Sequence, residues 1–274
     1  MGMMEATPHP EPGSHRPETV AIVSEPPAAQ QDVKDISSLL EQITADAVGA
    51  LGANLVTLLM YGSHPRGEAR PSSDVNLMIV VSDSSAQAMS GLLAHAQEWS
   101  KAGAAAPVVI TALEFLDSQD TLALEYLDIA SSRRVLAGHD LFATFTPDWE
   151  IVRHALEQEA RRKAIILMKR WLVTAGKGRD ARRIIADTIP GYIALLRSMV
   201  LYEQRITRPL HAKQVFDTMD GRRGLDPSIW HRLYDVGREY KRATSEQLVA
   251  LMMAYIDQSQ MLMKYLDSLD EHIE

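Results

Sequence analysis

The amino-acid sequence predicts an α/β (α+β) core with a mixed sheet, followed by an all-α helical bundle. Three short apolar runs have the length of buried strands, and they lie at residues 54–61, 75–81 and 107–111. Amphipathic segments at residues 32–49 and 84–101 flank these runs at helical spacing. Beyond Pro147 the pattern is helical almost throughout, so strands are expected only in the first half of the chain.

Changes in composition predict the domain boundaries. Residues 1–31 are rich in proline, which fixes φ and removes a backbone donor, so we expect a disordered tail there. Residues 32–145 hold the predicted strands and form the expected α/β domain. Residues 146–274 form the expected helical C-terminal domain.

The helical half contains recognisable start and stop signals. Long amphipathic segments occupy residues 150–174 and 180–203, and a kink or break is expected in the second one at Pro190. A further helix is expected after Asp226, a good N-cap residue that is followed by proline. The last helix is expected to begin at Thr244, which has a glutamine three residues later and so predicts a capping box.

Composition and charge exclude several classes of protein. The chain has 274 residues and a net charge of −8, which argues against a surface built to bind nucleic acid. It contains no cysteine, so it has neither disulfides nor thiolate metal sites. It shows no apolar run of the roughly 18 residues that span a bilayer, and no secretory signal. We therefore expect a cytoplasmic protein that does not bind membranes.

The segment at residues 58–80 carries the predicted chemistry. A strand ends in Gly62-Ser63, a polar loop follows, and the next strand opens with Asp74. Glycine lets the backbone approach a ligand closely, and the amides that follow it, together with the Ser63 hydroxyl, are suited to phosphate oxygens. Arg66 and Arg70 are interpreted either as solvated loop charges or as phosphate contacts, with Arg66 the better candidate for a contact.

Asp74 and Asn76 are the candidate metal ligands. They lie two residues apart on a strand, so their side chains are expected on the same face. Oxygen donors at this spacing suit a hard cation such as Mg²⁺. For Asn76 a second interpretation stays open, namely a buried amide that is hydrogen-bonded and has no role in metal binding.

These residues resemble the polymerase-β-like nucleotidyltransferase superfamily, whose motif is a Gly-Ser followed about ten residues later by Asp-x-Asp on the next strand. The match covers roughly residues 55–81 and includes Gly62, Ser63 and Asp74. The resemblance implies two Mg²⁺ ions held by carboxylates, and a nucleoside triphosphate on the Gly-Ser turn. It also implies attack at the α-phosphate with departure of pyrophosphate.

The sequence departs from this pattern at two carboxylate positions. The second carboxylate of the family falls on Asn76, which is neutral, and the predicted third strand at residues 107–111 contains no acid. Asp74 is therefore the one evident carboxylate of the expected three. No residue in the motif is an obvious base for an incoming hydroxyl.

Two functional hypotheses follow from the sequence. The first is an enzyme that transfers a nucleotide, expected to be AMP, from a nucleoside triphosphate to a hydroxyl of a small molecule or protein. In it Asp74 and Asn76 bind Mg²⁺, while Gly62, Ser63 and Arg66 hold the nucleotide. The second is a degenerate relative that binds a nucleotide or a protein partner without turnover. The methionine-rich last helix is interpreted as core or as the face of a homodimer.

Overall fold

The computed structural model describes residues 35–174, 176–219, 224–238 and 243–269. The predicted tail at residues 1–31 lies outside this part of the chain. The elements of the first half are α1 (Ser37–Leu51), β1 (Leu55–Tyr61), β2 (Asn76–Val81), α2 (Ala86–Met89), α3 (Leu93–Ala102), β3 (Val108–Thr111), α4 (Ala112–Asp117), α5 (Ala123–Ser131) and β4 (Arg133–Gly138). The second half contributes α6 (Trp149–Leu172), α7 (Gly178–Gln204), α8 (Ala212–Asp217), α9 (Pro227–Arg238) and α10 (Ser245–Asp267).

The four strands form one mixed sheet in the order β3-β2-β1-β4. Strand β1 runs antiparallel to both of its neighbours, and β2 pairs with β3 in parallel. In this register Tyr61, at the end of β1, lies opposite Asn76, at the start of β2. The predicted α/β core with a mixed sheet is confirmed, and the pairing brings the two ends of the 62–75 loop together.

Each face of the sheet has its own hydrophobic core. Because side chains alternate along a strand, Leu58 and Leu77 face α1 and α3, whereas Leu59 and Met78 face α4 and α5. The buried indole of Trp99 in α3 donates a hydrogen bond to Asp46 of α1 at 3.0 Å. The sheet is therefore covered on both sides, with α5 on the face that Asn76 shares with Met78.

Helix α7 is the centre of the helical half. It contributes buried side chains from Ala181 to Tyr202 to a third core, in which it packs against α6, α9 and α10. By length and composition α7 would also qualify as a membrane-spanning helix. However, 67 % of its apolar 18-residue segment is buried inside the protein, as in the core helix of a folded domain. The predicted capping box of the last helix is confirmed, because Thr244 accepts a hydrogen bond from the Gln247 amide at 3.2 Å.

Two helical segments differ in detail from what their patterns suggest. Helix α7 is not broken at Pro190 but continues to Gln204, because packing of its buried side chains outweighs the hydrogen bond that proline cannot donate; a kink at Pro190 stays a prediction. The segment at residues 84–101 is helical from Ala86, with a 3₁₀ turn at residues 90–92 between α2 and α3. In this turn a Cβ on Gly91 would lie 3.4 Å from the Ala50 carbonyl oxygen, so the turn approaches α1 closely.

The described residues belong to one compact unit that spans residues 33–274. Helix α5 lies within the strand half of the chain, just before β4, yet it contacts both α6 and α7, and its Leu127 is part of the helical core. The division into domains at residues 145 and 146 stays a prediction.

We predict that Gly138→Ala destabilises the protein. Gly138 has φ +79°, and a Cβ there would lie 2.1 Å from the Val56 carbonyl oxygen in the adjacent strand. Backbone strain together with this clash should lower the free energy of unfolding by about 3 kcal/mol. Urea denaturation followed by circular dichroism measures this change.

Gly49→Ala is the matched control for that substitution. Gly49 lies within α1, and a Cβ there would have no atom within 4 Å. Alanine has the higher helix propensity, so this variant should gain roughly 0.5–1 kcal/mol. Equal free energies of unfolding for the two variants would contradict the assignment of strain to Gly138.

Candidate functional site

The Gly62-Ser63 turn lies directly after β1 and against Asn76. Gly62 has φ +89°, which favours glycine, and a Cβ there would lie 2.7 Å from Asn76 Nδ2. The Asn76 amide therefore occupies the space that any larger residue at position 62 would need. The structure thus brings together Gly62 and Asn76, two of the residues that the sequence predicted for the site.

Asp74 stands just before β2 and is exposed. No hydrogen bond or ion pair from any described residue engages its carboxylate. The backbone around it is fixed, because the Val75 amide donates to the Gly103 carbonyl and its carbonyl accepts from Ala105, both at 3.0 Å. Asp74 lines a small depression of about 160 Å³ together with His64. The predicted metal ligand is thus held in place with its oxygens free.

Local hydrogen bonds order the loop between Gly62 and Asp74. The Glu68 amide donates to the Ser63 carbonyl at 2.9 Å, and the Ser73 amide donates to the Arg70 carbonyl at 2.9 Å. The Ser73 hydroxyl in turn accepts from the Arg70 amide at 2.9 Å. His64 Nε2 lies 3.3 Å from the Ser73 carbonyl oxygen. His64 therefore helps to close this loop.

Arg66 is part of an ion pair. Its Nη1 donates to both carboxylate oxygens of Asp128 in α5, at 3.0 and 3.2 Å. Its Nε lies 3.4 Å from Glu68 Oε2 without the geometry of a hydrogen bond, and only 9 % of the side chain is exposed. The predicted contact between Arg66 and a phosphate stays a prediction, because the described contacts join this guanidinium to protein carboxylates.

Arg197 of α7 joins the same cluster from the helical half. Its Nη2 donates to Glu68 Oε2 at 2.9 Å, its Nε donates to the Leu210 carbonyl at 2.9 Å, and its Nη1 lies 3.7 Å from Asp128. The other oxygen of Glu68 accepts from the Ala212 amide, at the start of α8, at 2.6 Å. A single loop glutamate therefore binds two helices of the helical half.

We call Arg66, Glu68, Asp128 and Arg197 the buried ion cluster. Its two guanidinium groups and two carboxylates balance in charge. Burial lowers the pKa of Arg197, and the neighbouring Arg66 charge lowers it further, while Asp128 and Glu68 oppose the shift. Such a cluster is stable only with its partners in place, because a buried charge without a partner costs several kcal/mol.

A second set of contacts holds the same loop. Arg238, at the end of α9, donates to the Glu68 carbonyl at 2.8 Å and stacks over the Tyr234 ring at 4.5 Å. Arg70 donates to the Gly237 carbonyl at 3.2 Å. Burial and the Arg238 charge both lower the pKa of Arg70. The loop is therefore fixed to α7, α8 and α9 at once.

A cleft of about 550 Å³ opens beside the Gly62 turn. Tyr61 of β1, Met78 of β2 and Val108 of β3 line it on the sheet side, α5 forms one wall, and α6 and α7 form the other. Asn76 shares the sheet face of Met78, because the two lie two residues apart on β2. The cleft thus adjoins the predicted nucleotide site.

The cleft contains charges of both signs. Glu125 and Asp128 come from α5, while Glu159, Arg162 and Lys163 come from α6. Glu159 accepts hydrogen bonds from Arg162 at 2.7 and 2.6 Å, and its Oε1 lies 2.8 Å from Lys163 Nζ. The spacing of these α6 residues is that of an ordinary charged helix face and does not indicate that the face lines a cleft.

Tyr61 links the cleft to the turn. Burial raises the pKa of its phenol, and the nearby charges of Asp128 and then Glu125 raise it further. The hydroxyl therefore stays protonated at neutral pH and can donate a hydrogen bond to a ligand in the cleft.

In the part of the chain that the structure describes, no group of three or more histidine, aspartate or glutamate side chains is arranged to hold a metal. The two Mg²⁺ ions that the resemblance implies therefore have no cluster of carboxylates among these residues. Asp74 offers one carboxylate and Asn76 a neutral amide, and Mg²⁺ is commonly held by one or two carboxylates together with substrate phosphates. Binding of Mg²⁺ by Asp74 and Asn76 stays a prediction.

We predict that Arg197→Met destabilises the fold strongly. The substitution leaves Glu68 and Asp128 buried with Arg66 as their remaining basic partner in the cluster, and methionine cannot donate to the Leu210 carbonyl. The expected loss is about 3–5 kcal/mol of the free energy of unfolding, measured by urea denaturation.

Arg161→Met is the matched control, because Arg161 pairs with Asp267 while both side chains are largely exposed. Its expected cost is below about 1 kcal/mol. If Arg197→Met cost no more than this control, the buried ion cluster would have no structural importance.

Comparisons with known proteins agree with this architecture. No family model matches the sequence, and no curated protein matches it. Among solved structures, the chain resembles spectinomycin adenyltransferase AAD(9) from Enterococcus faecialis, solved with ATP and spectinomycin, with a TM-score of 0.51 and 14 % identity over 81 % of this chain and 98 % of that one.

A second structural match is to a toxin–antitoxin protein solved with AMP-PNP. It has 18 % identity over 46 % of this chain and 94 % of that one, and its TM-score of 0.28 is too low to support an argument about the fold. The match to AAD(9) and the mixed sheet with its Gly-Ser turn lead to one conclusion. This chain has a polymerase-β-like nucleotidyltransferase fold, in which a nucleotidyltransferase core is followed by a helical region.

Proposed function

We propose that the protein binds a nucleoside triphosphate at the Gly62-Ser63 turn and transfers its nucleotide, AMP, to a hydroxyl acceptor in the adjoining cleft. The observation that carries this proposal is the position of the cleft. Its Tyr61 immediately precedes the turn, and its volume of about 550 Å³ is in the range of small-molecule sites. The acceptor is a small molecule or a protein side chain that bears a hydroxyl.

Residues of the Gly62-Ser63 turn and residues at the start of β2 have different roles in binding. The Ser63 hydroxyl and the amides after Gly62 donate hydrogen bonds to phosphate oxygens. Asp74 and Asn76 would hold one Mg²⁺ together with the phosphates. The ion would neutralise part of the negative charge that develops on the phosphates. Arg66 assists from the loop through its positive charge. The solved structure of AAD(9) with ATP and spectinomycin supports a site for both a nucleotide and a hydroxyl acceptor on this fold.

A second candidate function is binding of a nucleotide or protein partner without turnover. The specific observation in its favour is the donor set, since Asn76 is neutral and β3 (Val108–Thr111) contains no acid. In this case the role of the Asn76 amide, which lies against Gly62, is mainly to pack against the turn.

Labelled nucleoside triphosphates with Mg²⁺ test the proposal. We expect Mg²⁺-dependent binding, strongest for ATP, that falls at least about tenfold in Asp74→Ala because the carboxylate proposed to bind Mg²⁺ is lost. Filter binding with each labelled triphosphate measures it. Asp257→Ala, at an exposed position on α10, is the matched control and should bind as the parent does. Failure of every triphosphate to bind would refute the proposed function.

Asn76→Asp separates the two candidate functions. A carboxylate at position 76 restores the Asp-x-Asp pattern and provides a second charged ligand for a divalent cation. If the parent protein transfers label, Asn76→Asp should form the same labelled product at a different rate. Label transfer that occurs only in Asn76→Asp would favour the candidate that binds without turnover.

A further inference from the structure

We infer that Glu125 of α5 is the general base that accepts the proton of the acceptor hydroxyl, and this inference rests on the proposed function. The expected source of a third carboxylate, β3, has none. The cleft nevertheless contains glutamate and aspartate side chains from other elements, and they differ in what they contact.

Two of the cleft carboxylates are already engaged. Asp128 accepts two hydrogen bonds from Arg66. Glu159 accepts from Arg162 and pairs with Lys163. Carboxylate oxygens that already bind arginine or lysine in this way are not open to the hydroxyl of an entering acceptor.

Glu125 differs from both of them. Within the described part of the chain its carboxylate has neither a hydrogen bond nor an ion pair, and the residue is exposed at the cleft. It lies three residues before Asp128 and four before Ile129 on α5, so the three share one helix face, and all three line the cleft. Its lone pairs are therefore available to a molecule that enters the cleft.

The position of Glu125 relative to the turn fits this role. Glu125 and Tyr61 line the same cleft, and Tyr61 is the last residue before Gly62. A hydroxyl acceptor between Glu125 and Tyr61 would therefore lie at the same end of the sheet as the triphosphate. A general base must lie within hydrogen-bond reach of the proton that it removes.

The step that follows balances in atoms and charge. The acceptor oxygen forms a bond to the α-phosphorus, and its proton passes to the Glu125 carboxylate. The bond between the α-phosphorus and the oxygen that bridges to the β-phosphorus breaks, and pyrophosphate leaves with that electron pair. The products are the nucleotidylated acceptor, pyrophosphate and a protonated Glu125.

The test uses Glu125→Gln, which keeps the size of the side chain and removes its basicity. Labelled ATP is supplied with Mg²⁺, and the acceptors are spectinomycin, ribitol and water itself, so that both adenylylated product and free AMP are counted. We expect kcat to fall about 10²–10⁴-fold while ATP affinity changes less than about threefold. Glu98→Gln, an exposed glutamate on α3, is the matched control and should leave kcat unchanged. Glu125→Asp should recover part of the rate, because it restores a carboxylate.

The outcomes separate the two proposals. If the parent binds ATP and Glu125→Gln keeps the parental kcat, the inference about Glu125 is wrong and the proposed function stands. If the parent binds ATP but forms neither product nor AMP, Glu125 has no role as a base. If the parent does not bind ATP, the proposed function fails, and the inference fails with it. A parallel loss of kcat and ATP affinity would also contradict the inference, because it indicates a structural role.

Discussion

Glu68 accepts hydrogen bonds from Arg197 of α7 and from the Ala212 amide of α8, and Arg66 approaches it from the same loop. Arg238 and Arg70 add hydrogen bonds between this loop and α9. The side chains of the buried ion cluster are only 4–21 % exposed, so its charges attract each other more strongly than they would in water. Removal of one member leaves the others without adequate partners. The geometry of the Gly62-Ser63 turn therefore depends on helices that follow it by more than a hundred residues.

This dependence has a functional consequence through Asp128. The same carboxylate that binds Arg66 also lines the cleft. The wall of the cleft and the loop after the Gly62-Ser63 turn are therefore joined by the same ion pairs. A nucleotide and an acceptor would meet at a place where the strand half and the helical half are held in a fixed relation. Rigid placement of this kind is what a transfer reaction requires, since much of its barrier is lowered by orientation.

The sequence predicted the strand–loop–strand segment that contains Gly62, Ser63, Asp74 and Asn76, and the pairing of Tyr61 with Asn76 agrees with it. Short spacing along the chain was enough for this, while the roles of the four residues stay predictions. The buried ion cluster was not predictable in this way. Arg197 is 129 residues from Glu68, and a lone arginine in a helix pattern gives no indication of its partner.

Charged residues on helices show the same limit. Glu125 and the α6 charges follow the ordinary pattern of solvated helix faces, and only the packing of α5 against α6 and α7 turns those faces towards a cleft. At Pro190 the local pattern predicted a kink or a break, and the packing of α7 keeps the helix continuous through this residue. Features that depend on neighbouring residues could therefore be predicted from the sequence. Contacts between residues far apart in the chain could be identified only in the structure.

A crystal structure of the full chain with AMP-PNP and Mg²⁺ would show whether a nucleotide binds where the Gly62-Ser63 turn meets the cleft. We expect phosphates within hydrogen-bond distance of the Ser63 hydroxyl and amide, one Mg²⁺ on Asp74, and the α-phosphate facing the cleft. AMP-PNP bound elsewhere on the protein, with the turn empty, would refute the proposed nucleotide site.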